Sequence, residues 1–542
     1  MARQPRFAKL LNASPLRWGM SSTASEFKAL IAHITHEVVE HSGVYKNFPS
    51  AIGRLQSAIA IITLNLLRVR FSDPTRHLAF PRSQEAYRMG GGATRVGQQL
   101  MMRAFDAFVK LHYMTIEAAG VYDRESKKGF VTRVACTKKF MAICTEHGIR
   151  SSMISPIRRH ALVELRDTKE NGKRLLSWPK APEAKAERKR MEDNLRHINA
   201  ALANAFIGLH VTDATLRRIN SELRRRKEES SFVDFFNKQL YRVFHDGSTD
   251  LGGRFYGGWW QGVPRQYRKN IHIGHKGAES PRYCAEADYS GHQPRILYAR
   301  AKKKAPDDIY RIYDDRTTNT AARPLVKIAL LVMLNADSRS RALWAIRDQV
   351  QEAYEEPWYL EHGDKGRPPA MRIEDMLPKG CPPIEKVMDD VKERHGAIAD
   401  YFYTDVGKSL MYVDARIAER VLLRLLDQHD VVALPIHDSF LVHRKFGNLL
   451  KEVMEEEAQA ETGHLMPVKL QQLEFEDTRS ARRHLGQYLT GPVPEHRRKD
   501  SLVYRTLLED WVANHPTTST RQLPLEPLIF PIPMRRIRTS AQ

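Results

Sequence analysis

The chain has 542 residues, 42% of them hydrophobic and 8% aromatic, too long for one domain and too apolar for a disordered polymer. Lys and Arg number 86 against 64 Asp and Glu, a formal charge of +22, so a polyanionic partner is expected, nucleic acid ahead of an anionic membrane. The longest apolar run, around Ala58 to Leu67, falls far short of the roughly 20 residues a membrane span needs, and four cysteines without a C-x-x-C argue against a disulfide framework or a structural zinc site.

The first 25 residues hold no Asp or Glu and carry Arg3, Arg6, Lys9 and Arg17 among Ser and Thr. They read as a solvated basic arm of a cytoplasmic protein, with an organelle transit peptide as the alternative. Residues 24–80 read as helical, with apolar spacing in Phe27-Leu30-Ile31-Ile34 and Ile52-Leu55-Ile59-Ile62-Leu66. Within them His36 and His41 do not form H-E-x-x-H; five apart, they diverge around a helix and read as a solvated face. Gly90 to Gly92 break the chain. An amphipathic helix is expected over Thr94–Leu111, then short strands at Tyr113–Ile116 and Phe130–Val134 around the polar turn Asp123 to Gly129. Helix followed by basic hairpin is the pattern of a winged helix-turn-helix, and equally that of an ordinary α+β lobe.

From Lys173 to Lys227 the pattern is helical and densely charged, ending in Arg217-Arg218 and Arg224-Arg225-Arg226-Lys227. A solvated face is the first reading of that run and a phosphate-contacting stripe the second. Beyond Ser230 the texture turns to Gly, aromatic and strand-like segments, which places the main boundary there. The last 51 residues hold seven of the 28 prolines and close on Arg535, Arg536 and Arg538, an extended basic tail with little core.

Three segments carry chemistry. Glu286-Ala287-Asp288-Tyr289-Ser290 follows the strand-like Arg282-Tyr283-Cys284 and precedes a helix pattern, so Asp288 sits at a strand's C-terminal edge. Arg323-Pro324-Leu325-Val326-Lys327 opens an apolar helix; with Pro324 in its first turn, Arg323 and Lys327 share one face near a helix N-terminus. Val431 to Val442 reads as two apolar strands around His437-Asp438-Ser439, with a helix over about Ser409–Leu426 running into them. Each segment alone has a structural reading. Together, two aspartates on adjacent strand ends can hold two divalent cations about 4 Å apart, and an Arg/Lys face opposite can neutralise a triphosphate. Magnesium suits such oxygen-only sites, and manganese can replace it.

These segments resemble motifs A, B and C of the family A (DNA polymerase I-like) DNA polymerases and the phage-type single-subunit RNA polymerases. Asp250-Leu251-Gly252-Gly253-Arg254 is similar to the D/T-x-x-G-R motif that precedes motif A, and Asp288 and Asp438 lie 150 residues apart in the same order. The resemblance covers about residues 235–490. It implies that Asp288 and Asp438 bind two Mg2+ ions, with the Tyr289 backbone carbonyl a further ligand. It also implies that Arg323 and Lys327 hold the triphosphate, Lys327 protonating the pyrophosphate, that Arg254 contacts the nascent duplex, and that His437 positions the primer terminus. Departures accompany it. Asn335-Ala336 stand where the family has Tyr-Gly, altering the surface beneath the incoming nucleotide. Ser439 follows Asp438 as in the RNA polymerases, whereas Asp288-Tyr289-Ser290 follows the DNA polymerases, and Gln293 stands at the position of their sugar-gating glutamate. No acidic exonuclease set is evident in the N-terminal half.

The expected fold class is α+β: a right-hand polymerase with an antiparallel palm sheet and helical fingers, preceded by a mostly helical half. The expected layout is a helical region (1–90), a winged-helix module (91–150), a basic thumb-like region (151–234), palm (235–300), fingers (301–395), palm again (396–490) and the tail (491–542). The expected activity is DNA-directed DNA polymerisation on a primer–template with nucleoside triphosphates, in the replication of a plasmid or other mobile element, with Arg224, Arg225 and Arg226 on the nucleic acid. An RNA polymerase or primase-like enzyme is the alternative, and a non-catalytic nucleic-acid-binding protein on a decayed polymerase fold is the second.

Overall fold

The computed structural model describes residues 12–42, 49–84, 86–87, 96–123, 128–155, 161–226, 232–275, 279–362, 368–471 and 500–514. The expected basic arm at Arg3, Arg6 and Lys9, the Gly90 to Gly92 break and most of the proline-rich tail lie outside these residues.

The N-terminal lobe runs β1 (Ala13–Pro15), α1 (Ser25–Ser42), α2 (Pro49–Ser72), β2 (His77–Phe80), α3 (Gln98–Lys110), β3 (Met114–Ala118), β4 (Val121–Asp123), β5 (Lys128–Phe130), β6 (Thr132–Cys136) and α4 (Lys138–Glu146). Helical spacing buries Leu30, Ile34 and Val38 of α1 against Leu55, Ile59, Ile62 and Leu66 of α2 and Met101, Phe105 and Phe108 of α3. Residues 24–80 are not helical throughout, as the sequence suggested. Pro74 disfavours helix at the residue before it, and Asp73 instead accepts from the Thr75 N–H at 3.0 Å. The chain re-enters as β2, whose Leu78 and Phe80 point inward with period two. The sheet order is β1-β2-β6-β3, and β6 pairs antiparallel with both β2 and β3. Helix α3 leads into the β3–β6 hairpin, the short pair β4–β5 lies between those two strands, and β1 adds a parallel strand beside β2.

By length and apolar content Ile52–Ser72 could cross a bilayer, but 67% of its most apolar window is buried inside the lobe, and Arg68 within it is fully buried.

The larger body runs β7 (Val163–Arg166), β8 (Leu175–Leu176), α5 (Pro182–Asn204), β9 (Phe206–Leu209), α6 (Asp213–Arg226), β10 (Tyr241–Phe244), β11 (Gly252–Tyr256), α7 (Arg265–Arg268), β12 (Ile271–His275), β13 (Glu279–Tyr289), α8 (His292–Arg300), α9 (Arg316–Asn335), α10 (Arg339–His362), α11 (Ile384–Arg394), α12 (Gly407–His429), β14 (Leu434–Ile436), β15 (Ser439–His443), α13 (Gly447–Thr462), β16 (Val468–Gln471) and α14 (Leu502–Asn514). A six-stranded antiparallel sheet, β14-β15-β13-β12-β9 with β16 also on β13, forms its centre, and β11-β10-β7-β8 forms a second sheet. The architecture is α+β.

Four sequence expectations are corrected. The stretch from Lys173 to Lys227 is not all helix: Phe206-Ile207-Gly208-Leu209, buried at every position, is too short and apolar for a solvated helix and becomes the edge strand β9 of the central sheet. The hydrophobic cores divide between Ile154 and Val163 rather than at Ser230, with Phe236 alone reaching back into the N-terminal one. Pro324 is not in the first turn of its helix; α9 starts at Arg316, where the Asp315 side chain caps the Thr318 N–H at 2.7 Å, so Arg323 and Lys327 lie two turns in, beyond the helix-end dipole. The C-terminal segment is not without core, because α14 buries Val503, Tyr504 and Trp511.

Candidate active site

Register on the central sheet brings the two aspartates together. Strand β13 ends at Asp288-Tyr289, and Asp288 pairs with Ser439 of β15 and with Lys469 of β16. Strands β14 and β15 join through the two-residue turn His437-Asp438, closed by the Ile436–Ser439 pair. His437 takes φ +56°, the left-handed region that a Cβ disfavours, and thereby swings Asp438 to the sheet edge beside Asp288. The Asp288 carboxyl is pushed up to about 6, first by burial and then by the charge of Asp438, with Arg265 partly offsetting both.

Helix α9 forms the opposite wall. A cleft of about 900 Å³ lies between it and the sheet, lined by Asp288, Tyr289, Gln293, Arg254, Arg323, Lys327, Asn335, His437 and Asp438. Nine of the twelve expected site residues thus line one cleft. Arg224, Arg225 and Arg226 do not. Arg225 lies over the Tyr359 ring at 4.7 Å, in a separate groove lined by Asp348, Glu352, Glu355 and Glu356 of α10. Arg224 is half-buried at the end of α6, and the Arg226 side chain lies outside the described residues. At Arg225 the basic run faces a carboxylate-rich helix face of its own chain, apart from the cleft.

Within the cleft the individual roles differ. The Tyr289 ring is structural: it stacks on His292 at 4.4 Å and its hydroxyl donates to the Met454 carbonyl at 2.6 Å. Its backbone, at the strand end, remains on the cleft. Arg254 gives its Nε to Asp414 at 2.6 Å, and Asp414 also faces His292 Nε2 at 3.2 Å. Burial opposes ionisation of Asp414, yet Arg254 and His292 hold its carboxyl down at about 2. Burial, with Arg254 alongside, pushes the His437 imidazole pKa down, so it is neutral at pH 7. Gln293 is buried, and its Oε1 accepts no hydrogen bond among the described residues. Arg323 is held in a two-pronged pair by Asp308, Nη1 to Oδ2 at 2.6 Å and Nη2 to Oδ1 at 3.0 Å. The Tyr310 ring lies beneath both cations, 5.6 Å from the Arg323 Cζ and 5.3 Å from the Lys327 Nζ.

Asp414, Asp308, Tyr310 and the wall cations Arg265, Arg268 and Lys469 are cleft partners that the sequence did not reveal. Asp414 alone left a signal, a charged residue on the apolar stripe of α12 with Leu410, Ile417 and Val421.

Metal fit can be judged from the donors. Among the described residues no three His, Cys, Asp or Glu side chains gather where they could enclose a metal ion. Two carboxylates on an open cleft suit Mg2+, which keeps several waters and takes its remaining ligands from substrate phosphates rather than from an all-protein cage. The residues therefore fit a metal that is completed by substrate.

No family model matches the chain, and no curated protein sequence matches it. Among solved structures the chain is similar to the POL domain of Pol1 from M. smegmatis in complex with DNA primer-template and dNTP, at 10% identity and a TM-score of 0.23, over 86% of this chain and 68% of that one. The cleft, not this likeness, carries the function proposed below.

Proposed function

We propose that this chain is a template-directed nucleotidyltransferase, most simply a DNA-directed DNA polymerase that works on a primer–template with nucleoside triphosphates. The observation that carries it is the facing of Asp288 and Asp438, from adjacent strands, by Arg323 and Lys327 across one open cleft. In this reading the central sheet is a palm and α9 belongs to the fingers. Two Mg2+ ions, replaceable by Mn2+, would be held by Asp288 and Asp438, with the Tyr289 carbonyl as an additional oxygen, and would supply charge neutralisation at the reacting phosphate.

The chain's own residues do the rest. Lys327 and Arg323 bind the β and γ phosphates, and Lys327, a step from the leaving group, gives its proton to the departing pyrophosphate. His437, neutral and fixed by its turn, donates a hydrogen bond at the primer terminus. Arg254, locked by Asp414 into one rotamer, meets the nascent duplex on the floor of the cleft. A second duplex grip outside the cleft, by the winged-helix-like pattern of α3 and the β3–β6 hairpin in the N-terminal lobe, belongs to the same proposal.

An RNA-making or primer-making enzyme is the second reading. Ser439 after Asp438 favours it, as does Gln293 on the cleft wall, where the DNA polymerases that the sequence resembles carry a sugar-gating glutamate.

The deciding experiment is extension of a labelled primer with Mg2+, with deoxy- and ribonucleoside triphosphates in parallel and Asp438→Asn as the control. Extension with deoxynucleotides that falls by at least a thousandfold in Asp438→Asn, while duplex affinity is kept, is the expected outcome. Extension with ribonucleotides alone moves the chain to the second reading. Duplex binding without extension on any template, primed or unprimed, leaves a non-catalytic binding protein.

A further inference from the structure

The pairing of Arg323 with Asp308 involves the same nitrogens that a triphosphate would need. A guanidinium meets a carboxylate and a phosphate with the same planar fork, so while Asp308 holds Nη1 and Nη2 the end-on fork of Arg323 is taken and its charge is matched, leaving a phosphate only the side-on Nε edge. Asp308 is well placed to stay. It belongs to residues 306–310, a segment fixed from the palm side by Arg295, whose Nη2 donates to the carbonyls of Pro306 at 3.1 Å and Asp307 at 2.8 Å while its Nε donates to the Ser290 carbonyl at 2.8 Å. Farther along, the Ile309 side chain lies where a Cβ on Gly291 would make contact at 3.0 Å, and the Ile309 carbonyl is 3.0 Å from Nε2 of the buried His395. The segment's own backbone adds a bond from the Tyr310 N–H to Asp308 Oδ1 at 3.0 Å.

We propose that Asp308 is a built-in placeholder for the triphosphate: a carboxylate carried on a palm-anchored strap that occupies Arg323 until a polyphosphate displaces it. This rests on the triphosphate assignment of Arg323 and Lys327 made above. Two features make the placeholder displaceable rather than permanent. The pair is open to solvent, with side-chain exposures of 36% for Arg323 and 42% for Asp308, and open ion pairs are weak. It is also matched to a ligand with more than one charge. Displacing Asp308 frees a carboxylate beside the site, and only a ligand that engages Lys327 at the same time, across the Tyr310 ring both cations overlie, recovers more than is lost. Asp308 therefore selects chains of phosphates over a single phosphate, such as a nucleoside monophosphate or inorganic phosphate, and biases the empty site against adventitious anions.

The test uses the full-length protein and inorganic phosphate, pyrophosphate and tripolyphosphate as probes, titrated into wild type, Asp308→Asn, Arg323→Ala and the double variant. Asp308→Asn keeps the shape of the strap and an acceptor for the Tyr310 N–H, and its melting temperature checks that it folds. The expected result is a three- to tenfold tighter tripolyphosphate constant in Asp308→Asn, a larger relative gain for single phosphate, and no gain from Asp308→Asn once Arg323 is alanine. In primer extension the same variant would lower KM for the nucleotide with kcat unchanged or reduced. Equal or weaker tripolyphosphate binding in Asp308→Asn would overturn the placeholder, as would a gain that persists without Arg323. Failure of the polymerase assignment looks different: wild type binds tripolyphosphate through Arg323 but never extends a primer. Extension by wild type with an unaffected Asp308→Asn sinks the placeholder alone.

Discussion

At Asp288 the needs of the cleft and of the fold pull apart, because ionising a largely buried carboxyl that faces Asp438 is disfavoured in the folded chain. Its pKa rises from an ordinary 3.8 to about 6, so the penalty is absent below about pH 4, where folded and unfolded chains are both protonated. It grows as pH rises from about 4 to 6 and is full above that. A pKa unit is worth about 1.4 kcal/mol, and solvent still reaches part of the group, so Asp288→Asn should stabilise the metal-free protein by about 1 to 3 kcal/mol near pH 8 and not at all near pH 4. Thermal melts in chelator at the two pH values measure this; a variant less stable near pH 8 would mean that Asp288 is an ordinary structural carboxylate. Asp288, Asp438, Arg323 and Lys327 were legible in the sequence because short local patterns, a strand end, a tight turn and a helix face, set their directions. Asp308 was not, because its place depends on Arg295 and His395 holding a loop, contacts with no periodic trace.

Between elements, the sequence read helices and hairpins well where one face is apolar, and failed where tertiary pairing decides. Strand β9 was lost in a charged helical stretch because four apolar residues look alike in a helix and in a strand. The start of α9 was misplaced because Pro324 outweighed Asp315, a better helix start. The far end of α9 shows the reverse case, in which Asn335, unexpected from the sequence resemblance, has a partner. Asn335 folds its Nδ2 back to the Leu331 carbonyl at 2.7 Å, and its amide occupies the space that a Cβ at Gly407, the first residue of α12, would need. The segment before Gly407 also closes the helix end, the Tyr403 N–H donating to the Met333 carbonyl at 2.8 Å and the Asp405 N–H to the Ala336 carbonyl at 3.0 Å. Gly407→Ala should therefore cost about 1 to 3 kcal/mol through overpacking and displace the end of α9 from α12. Asn335→Ala in the same chain should restore most of that stability in denaturant melts. Equal losses with and without Asn335 would show that the collision is not what the glycine avoids.

Across the whole molecule, the two cores are joined by polar groups shut away from water rather than by a flexible tether. Arg68, fully buried on α2, donates to Asp234 Oδ2 at 2.5 Å and to Ser14 Oγ at 2.8 Å, and Asn220 of α6 donates to Asp73 Oδ2 at 3.1 Å. The guanidinium groups of Arg68 and Arg76 both lie against the Phe232 ring, 5.9 and 4.2 Å from its centroid. A second bridge comes from α14, whose Asp510 takes the Ser151 N–H and hydroxyl of the N-terminal lobe while Tyr504 packs on Phe206 of β9. Removing one partner of a buried ion pair strands the other, at about 3 to 5 kcal/mol, whereas replacing both with apolar groups costs much less. Asp234→Ala should accordingly lose about that much and split calorimetric melting into two transitions, whereas Arg68→Met with Asp234→Leu should melt close to wild type. If the interface serves delivery of the duplex, Asp234→Ala should also separate binding from synthesis: DNA affinity, driven by the excess of positive charge, persists, while extension on long duplex-flanked templates falls more than on short ones. A single, unshifted melting transition with unchanged extension on both templates would mean that the lobes are held together elsewhere.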